Sequence, residues 1–211
     1  MTAADRDGFG LTQAVAGFDV SRETSQRLAL IVEALAEWRG IHNLIGPREM
    51  DHIWRRHVFD SLQLWPHIPA EGPVVDLGSG AGFPGLVIAA CLAGTGREVT
   101  LIESVRKKCA FLRDAIARAD LPARVCQARV EATTDIAASC ITARAFAPLP
   151  KLFEYASPWL LEGVPAVLPK GKRWQEELTR AQECWKFAYD VIPSQSGEGV
   201  ILIISEVSRG G

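Results

Sequence analysis

Apolar residues at Leu28, Ile31, Leu35 and Trp38 fall three and four apart, the spacing of one helix face, and predict a helix from Ser21 to Arg39. Ser21 suits its N-cap, Glu23 puts an acid in the first turn where the helix dipole favours it, and Gly40 ends it. A second helical pattern runs from about Met50 to Trp65, with Ile53, His57 or Val58, Ser61 or Leu62, and Trp65 on one side. Pro66, Pro69, Gly72 and Pro73 then punctuate a loop, and the period changes.

Beyond that loop, short β-rich apolar runs alternate with helical segments. Strands are expected at Val74 to Leu77, Val99 to Glu103, Arg124 to Ala128, Cys140 to Ala143 and Ala166 to Leu168. Helices are expected from Pro84 to Leu92, after a Ser104 cap with Val105, Cys109, Leu112 and Ile116 on the buried stripe, from Leu149 to Leu160, and from Trp174 to Trp185. Two final strands, Phe187 to Ile192 and Val200 to Glu206, are joined by a stretch too short for a parallel crossover, so that pair is expected to be antiparallel. The chain therefore reads as α/β. A seven-stranded, mostly parallel Rossmann-like sheet ends in an antiparallel strand and carries an N-terminal helical layer. Residues 1–70 are read as that helical extension and 71–211 as the sheet-containing core.

Apolar residues make up 48% of the 211 and charged residues 23%, the balance of a globular protein. The longest apolar run, Leu86 to Ala93, is far shorter than the ~20 residues of a bilayer span, and residues 1–10 lack a signal-like apolar segment, so a cytoplasmic, membrane-free protein is expected. Cys91, Cys109, Cys126, Cys140 and Cys184 are scattered without a Cys-x-x-Cys pair, which argues against disulfides and a metal site. With a net charge of -2, nucleic-acid contact would have to use local patches: Arg55-Arg56-His57, Arg106-Lys107-Lys108 and Lys170-Gly171-Lys172-Arg173.

The chemistry-bearing segment is Asp76-Leu77-Gly78-Ser79-Gly80-Ala81-Gly82, between the first strand and its helix. Glycines there let backbone N–H groups approach a ligand closely. The dinucleotide pattern wants glycine where Phe83 stands, which disfavours an NAD enzyme. An Asp-x-Gly-x-Gly-x-Gly turn resembles the first motif of class I methyltransferases, and the Asp76 carboxylate suits the cationic amino group of S-adenosylmethionine. Glu103, ending the second strand, is placed to accept both ribose hydroxyls of a nucleoside. The segment Ala143-Arg144-Ala145-Phe146-Ala147-Pro148 does not match the Asn/Asp-Pro-Pro-aromatic element of amino-methyltransferases, and no Pro-Cys pair offers a pyrimidine C5 nucleophile.

Taken with Asn43-Leu44-Ile45, Arg56-His57-Val58-Phe59-Asp60-Ser61, Phe83-Pro84-Gly85, Leu101-Ile102-Glu103-Ser104, Lys107-Lys108, Arg129-Val130-Glu131, Arg144-Ala145-Phe146 and Lys170-Gly171, the chain resembles the bacterial small-subunit ribosomal RNA methyltransferase G family, also called the glucose-inhibited division protein B family. The resemblance runs from Trp38 onward. It implies methylation of guanine N7 in the decoding-region loop of 16S ribosomal RNA, within the 30S subunit or an assembly intermediate, using S-adenosylmethionine; a monomer is expected. It also implies that Gly78 and Phe83 line the cofactor turn, that Val130 and Glu131 contact adenine, and that Arg144 closes the site. The cofactor set is thus Asp76, Gly78, Gly80, Gly82, Phe83, Glu103, Val130, Glu131 and Arg144. Arg56, His57, Lys107 and Lys170 are taken as RNA contacts. No catalytic acid or base is assigned, because guanine N7 carries a free lone pair. The alternatives are a small-molecule methyltransferase and a non-enzymatic ribosome-assembly protein that binds RNA.

Overall fold

A computed structural model describes residues 4–39, 44–46, 48–133 and 135–210. Among the described residues, seven strands form one sheet in the order β3-β2-β1-β4-β5-β7-β6. They are β1 Val74–Leu77, β2 Val99–Ile102, β3 Ala123–Cys126, β4 Cys140–Thr142, β5 Ala166–Lys170, β6 Trp185–Pro193 and β7 Val200–Arg209. The first five are parallel, and β7 runs antiparallel to both β5 and β6, as the short connection between the last two strands requires.

Side-chain alternation along β1 and β2 builds two cores, one on each face of the sheet. Val74, Val99 and Leu101 point to one face, against α4 (Gly85–Leu92), α5 (Arg106–Ala119) and α2 (Arg22–Arg39). Val75, Leu77 and Ile102 point to the other, against α6 (Leu149–Leu160) and α7 (Trp174–Gln182). The N-terminal residues Ala14, Leu28, Ile31 and Leu35 belong to the first of these cores, so the helical layer is continuous with the packing of the sheet. Its first helix, α1 (Leu11–Val15), lies in a stretch whose sequence has no clear period.

Ser21 caps α2 as its position predicts: its hydroxyl accepts the Thr24 N–H at 3.0 Å. Gly40, the expected stop, lies outside the described residues, as does Asn43.

The expected helix from Met50 to Trp65 is replaced by a broken path. A 3-10 turn (Glu49–His52) leads to a π-helical segment (Trp54–Phe59), a single α-turn α3 (Asp60–Leu62) and a second 3-10 turn (Trp65–His67). The cause is remote in sequence. The buried Asp5 carboxylate accepts the N–H groups of Trp54 and Arg55, both at 3.0 Å, and withdraws them from a regular helical ladder.

A second correction concerns α5. Ser104 makes no cap; the Glu103 carboxylate takes the Val105 N–H at 2.7 Å instead. Val105, expected on the buried stripe, is exposed, while Cys109 and Leu112 are buried. Strand boundaries also shift. β3 spans Ala123–Cys126 rather than 124–128, and β5, β6 and β7 run longer than expected, because the antiparallel pairing continues along their full length.

Candidate active site

Order reverses between β1, which is followed by the glycine turn, and its neighbour β4. In an open α/β sheet, such a reversal opens a crevice at the carboxyl ends of the strands. The turn after β1, Glu103 after β2, Val130 after β3, Arg144 after β4, Lys170 ending β5 and the β6–β7 loop all lie on that edge.

Gly78, Gly80 and Gly82 adopt φ of +64°, +57° and +87°, a region that side chains rarely occupy. Their roles differ. A Cβ on Gly78 would lie 2.2 Å from the Phe146 ring, and one on Gly82 would lie 2.2 Å from Leu86. Around Gly80 the space is open apart from the Gly78 carbonyl at 3.7 Å. The first and last glycines let neighbouring side chains close on the turn, and the middle one leaves its outer face clear.

Beside the turn is a cavity of about 400 Å³ whose walls include Gly78, Glu103, Lys108, Val130, Glu131 and Phe146. Glu103 is buried. One of its carboxylate oxygens accepts the Gly80 N–H at 3.0 Å and the other the Val105 N–H at 2.7 Å. The two bonds clamp the turn to the start of α5 and fix the carboxylate plane at the cavity wall, where each oxygen keeps further acceptor capacity. A diol-bearing nucleoside fits this arrangement: a held carboxylate at the wall, and the buried Val130 with Ile102 as apolar lining.

Asp76 does not reach that cavity. Its carboxylate is fully buried behind the turn, where Oδ1 accepts the Thr142 hydroxyl at 3.0 Å and Oδ2 is left without a hydrogen bond. A Cβ on Gly85 would meet Oδ2 at 2.7 Å, so the first residue of α4 must be this small for the helix to approach β1. Burial pushes the Asp76 carboxyl up to about 6.

A second, larger cavity of about 640 Å³ lies alongside, walled by Glu49, Arg56, His57, Asp60, Arg144, Lys170 and the β6–β7 loop. The two cavities share one wall, Ala145, Phe146, Ala147 and Pro148. Ala145, at φ +52°, turns the chain there, between Arg144 in the larger cavity and Phe146 at the boundary. Phe146 also packs against Tyr155, with ring centroids 5.4 Å apart.

Arg144 is thus on the side of the larger cavity, not against the nucleoside-sized one. It donates to the Arg56 carbonyl at 2.8 Å and to His57 Nδ1, and lies 3.8 Å from the Asp60 carboxylate. Its guanidinium sits 5.6 Å from the Phe83 ring centroid, and Phe83 stacks obliquely on His57 at 5.1 Å. Phe83 is accordingly buried under the His57–Arg144 layer and is absent from the smaller cavity's wall.

His57 is buried within the π-helical segment, where Nε2 is 2.8 Å from Glu49. With Nδ1 accepting from Arg144, the neutral ring must donate from Nε2 to Glu49, which fixes one tautomer in a carboxylate–imidazole–guanidinium chain. Burial first, and then the Arg144 charge, push the His57 pKa down to about 4 despite the Glu49 bond. Burial alone would raise Glu49, but the His57 bond and adjacent cations hold it below its ordinary value.

Among the residues expected to meet RNA, Arg56 and Lys107 are exposed. His57 is enclosed as just described. Lys170 is enclosed too: its side chain is 9% exposed and pairs with Glu177 at 2.9 Å and the Ala147 carbonyl at 3.2 Å. Glu177 also accepts the Leu149 N–H at 2.9 Å, so Lys170 ties β5 to the starts of α6 and α7. Glu49, Asp60 and Phe146 carry much of the site, yet nothing in their spacing marks them out. Asp60 and Phe146 lie in segments that resemble the family; Glu49 has no such signal.

Comparison with known proteins agrees with this architecture. The structure is similar to a Podospora anserina methyltransferase solved with S-adenosylhomocysteine bound (TM-score 0.59, 13% identity, covering 88% of this chain and 97% of that one). It is also similar to a Geobacter sulfurreducens methyltransferase (TM-score 0.58, 14% identity, covering 84% and 88%). In sequence it is 60% identical over 196 residues to ribosomal RNA small subunit methyltransferase G of Hyphomonas neptunium, covering 92% of this chain and 94% of that protein. It is 43% identical over 191 residues to the Gluconobacter oxydans protein of the same name, covering 90% and 97%. The model of the GidB family, rRNA small subunit methyltransferase G, matches residues 24–196, and the chain belongs to that family.

Proposed function

We propose that the chain methylates N7 of a guanine in the decoding-region loop of 16S ribosomal RNA, presented by the 30S subunit or an assembly intermediate. The observation that carries the reading is the pair of adjoining cavities. One is sized and lined for a nucleoside, the other carries Arg56, Arg144 and Lys170 among the paired carboxylates of its wall, and Ala145 to Pro148 stand between them.

The residues that would hold S-adenosylmethionine are the Gly78–Gly82 turn, Glu103, Val130 and Glu131. When bound, it supplies an electrophilic methyl group. The protein's contribution is chiefly position. Glu103 and the turn it clamps fix the nucleoside end, and the shared wall sets where the acceptor base meets the cofactor cavity. Guanine N7 presents an in-plane lone pair with no proton to remove, so the acceptor cavity needs no free base. The groups there are engaged accordingly: His57 with Glu49 and Arg144, and Lys170 with Glu177. Exposed Arg56 and Lys107 are the side chains assigned to RNA phosphates, whereas His57 and Lys170 act by holding the cavity wall.

The test incubates the protein with methyl-labelled S-adenosylmethionine and 30S subunits from a strain lacking the activity, then maps the label by nuclease digestion and mass spectrometry. Label on N7 of one guanine in the decoding-region loop is expected. Label on another atom or another base, or none, would overturn the proposal.

A further inference from the structure

Carboxylates are out of place in a cavity that receives a polyanion, unless each is neutralised or meets a donor on the ligand. The larger cavity is lined by Glu49, Asp60, Glu177 and Glu198. Glu49 is bonded to His57 at 2.8 Å, Glu177 to Lys170 at 2.9 Å, and Glu198 to Lys172 at the exposed rim. Asp60 differs. Its ion pair with Arg144 is long, at 3.8 Å, and its side chain is 27% exposed within the cavity.

Asp60 is nevertheless held firmly. Its Oδ1 accepts the Ser196 hydroxyl, with Gln63 Nε2 at 3.4 Å, and Gln63 in turn accepts the Gln195 N–H at 2.7 Å. The β6–β7 loop and α3 therefore fix the carboxylate plane from two sides, while Oδ2, the oxygen beside Arg144, takes no part in those bonds.

We propose that Asp60 is the base-recognition residue of the acceptor cavity, accepting the N1–H and 2-amino donors of the guanine while N7, on the opposite edge of the purine, faces the shared wall. This rests on the guanine-N7 reading above. The two lone-pair positions of Oδ2 can take that adjacent donor pair, and adenine, cytosine and uracil do not present it. The contact also favours the reaction itself. As N7 gains the methyl group the purine becomes cationic, N1–H becomes a stronger donor, and its bond to the carboxylate tightens in the transition state.

The experiment uses 30S subunits assembled on 16S ribosomal RNA whose target position is guanine or inosine, which lacks the 2-amino group. The wild-type protein is expected to lose about tenfold to a hundredfold in kcat/KM on inosine. Asp60→Asn should be weakened on guanine by a similar factor, with kcat reduced as well as KM raised, and should treat the two RNAs alike within about twofold. Asp60→Glu should recover part of the guanine preference. Calorimetric titration with S-adenosylmethionine should give all three proteins the same affinity. Equal wild-type rates on both RNAs, or an Asp60→Asn protein that keeps the full preference, would overturn the assignment. The wild-type comparison needs no variant to fold. Mass spectrometry of the wild-type product locates the methyl group, so a label away from guanine N7 marks failure of the underlying reading, while label at N7 without discrimination marks failure of the Asp60 assignment.

Discussion

Replacing His57 by Asn tests whether the buried imidazole is neutral in the folded protein. In the unfolded chain the ring takes up a proton near its ordinary value of 6.5, whereas burial and the Arg144 charge lower its pKa in the fold to about 4. The unfolded state therefore binds more protons between those values. The sign follows: the His57 contribution is complete above pH 6.5 and is lost as pH falls toward 4. At about 1.4 kcal/mol per pH unit, the full loss approaches roughly 3 kcal/mol, and about 2 kcal/mol of it is gone by pH 5. Asp76 opposes this. Its pKa is raised from 3.8 to about 6, so its burden is present above pH 6 and is relieved as pH falls toward 3.8. The two trends cancel in part, and the wild-type curve alone decides nothing. The assay is chemical denaturation of wild type and His57→Asn from pH 7.5 to 4.5, read as the difference between the curves. Asn does not titrate, so its packing loss adds a constant offset while the slope isolates the ring. The stability advantage of wild type should shrink by about 2 kcal/mol between pH 7 and 5. A difference that stays level, or that grows on acidification, would show that His57 titrates normally or is charged, and would refute the proposed tautomer chain.

Three further outcomes are expected. Gly78→Ala, with φ +64° and a Cβ 2.2 Å from the Phe146 ring, should displace that ring, costing about 1–3 kcal/mol in denaturation and weakening S-adenosylmethionine binding in calorimetry. Glu103→Gln puts an amide donor against the Gly80 or Val105 N–H, and should weaken S-adenosylmethionine about tenfold to a hundredfold while leaving RNA affinity unchanged. Arg56→Ala should lower the salt dependence of RNA binding by about one counterion, whereas Lys170→Ala, removing an enclosed partner of Glu177, should lower the melting temperature and leave the salt slope as it was. Equal salt slopes for wild type and Arg56→Ala would remove Arg56 from the RNA surface.

What was legible in the sequence follows from how local its cause is. The strands β1 to β5 and helix α2 declare themselves, because runs such as Val74 to Leu77 and the spacing of Leu28, Ile31 and Leu35 are fixed by which face each residue buries. Glu103 was legible by position at the end of β2, though not its two N–H bonds, which need the turn and α5 together. The path from Glu49 to His67 was not. Its apolar spacing is helical, and the break comes from Asp5, far away in the chain. Similarly, the family resemblance implies Arg144 as a cofactor residue, but the turn at Ala145 puts it on the far side of the shared wall, against His57 and Asp60. Glu49 and Asp60 matter only through partners that folding brings in.

In the proposed reaction, cofactor and acceptor base occupy separate cavities on either side of Ala145 to Pro148. A crystal structure with S-adenosylhomocysteine bound tests this separation most directly. The ribose should lie on Glu103, the adenine between Ile102 and Val130 beside Glu131, and the sulfur at the Phe146 boundary facing the cavity of Arg144 and Asp60. A nucleoside seated among Arg144, His57 and Lys170, with Glu103 untouched, would contradict it.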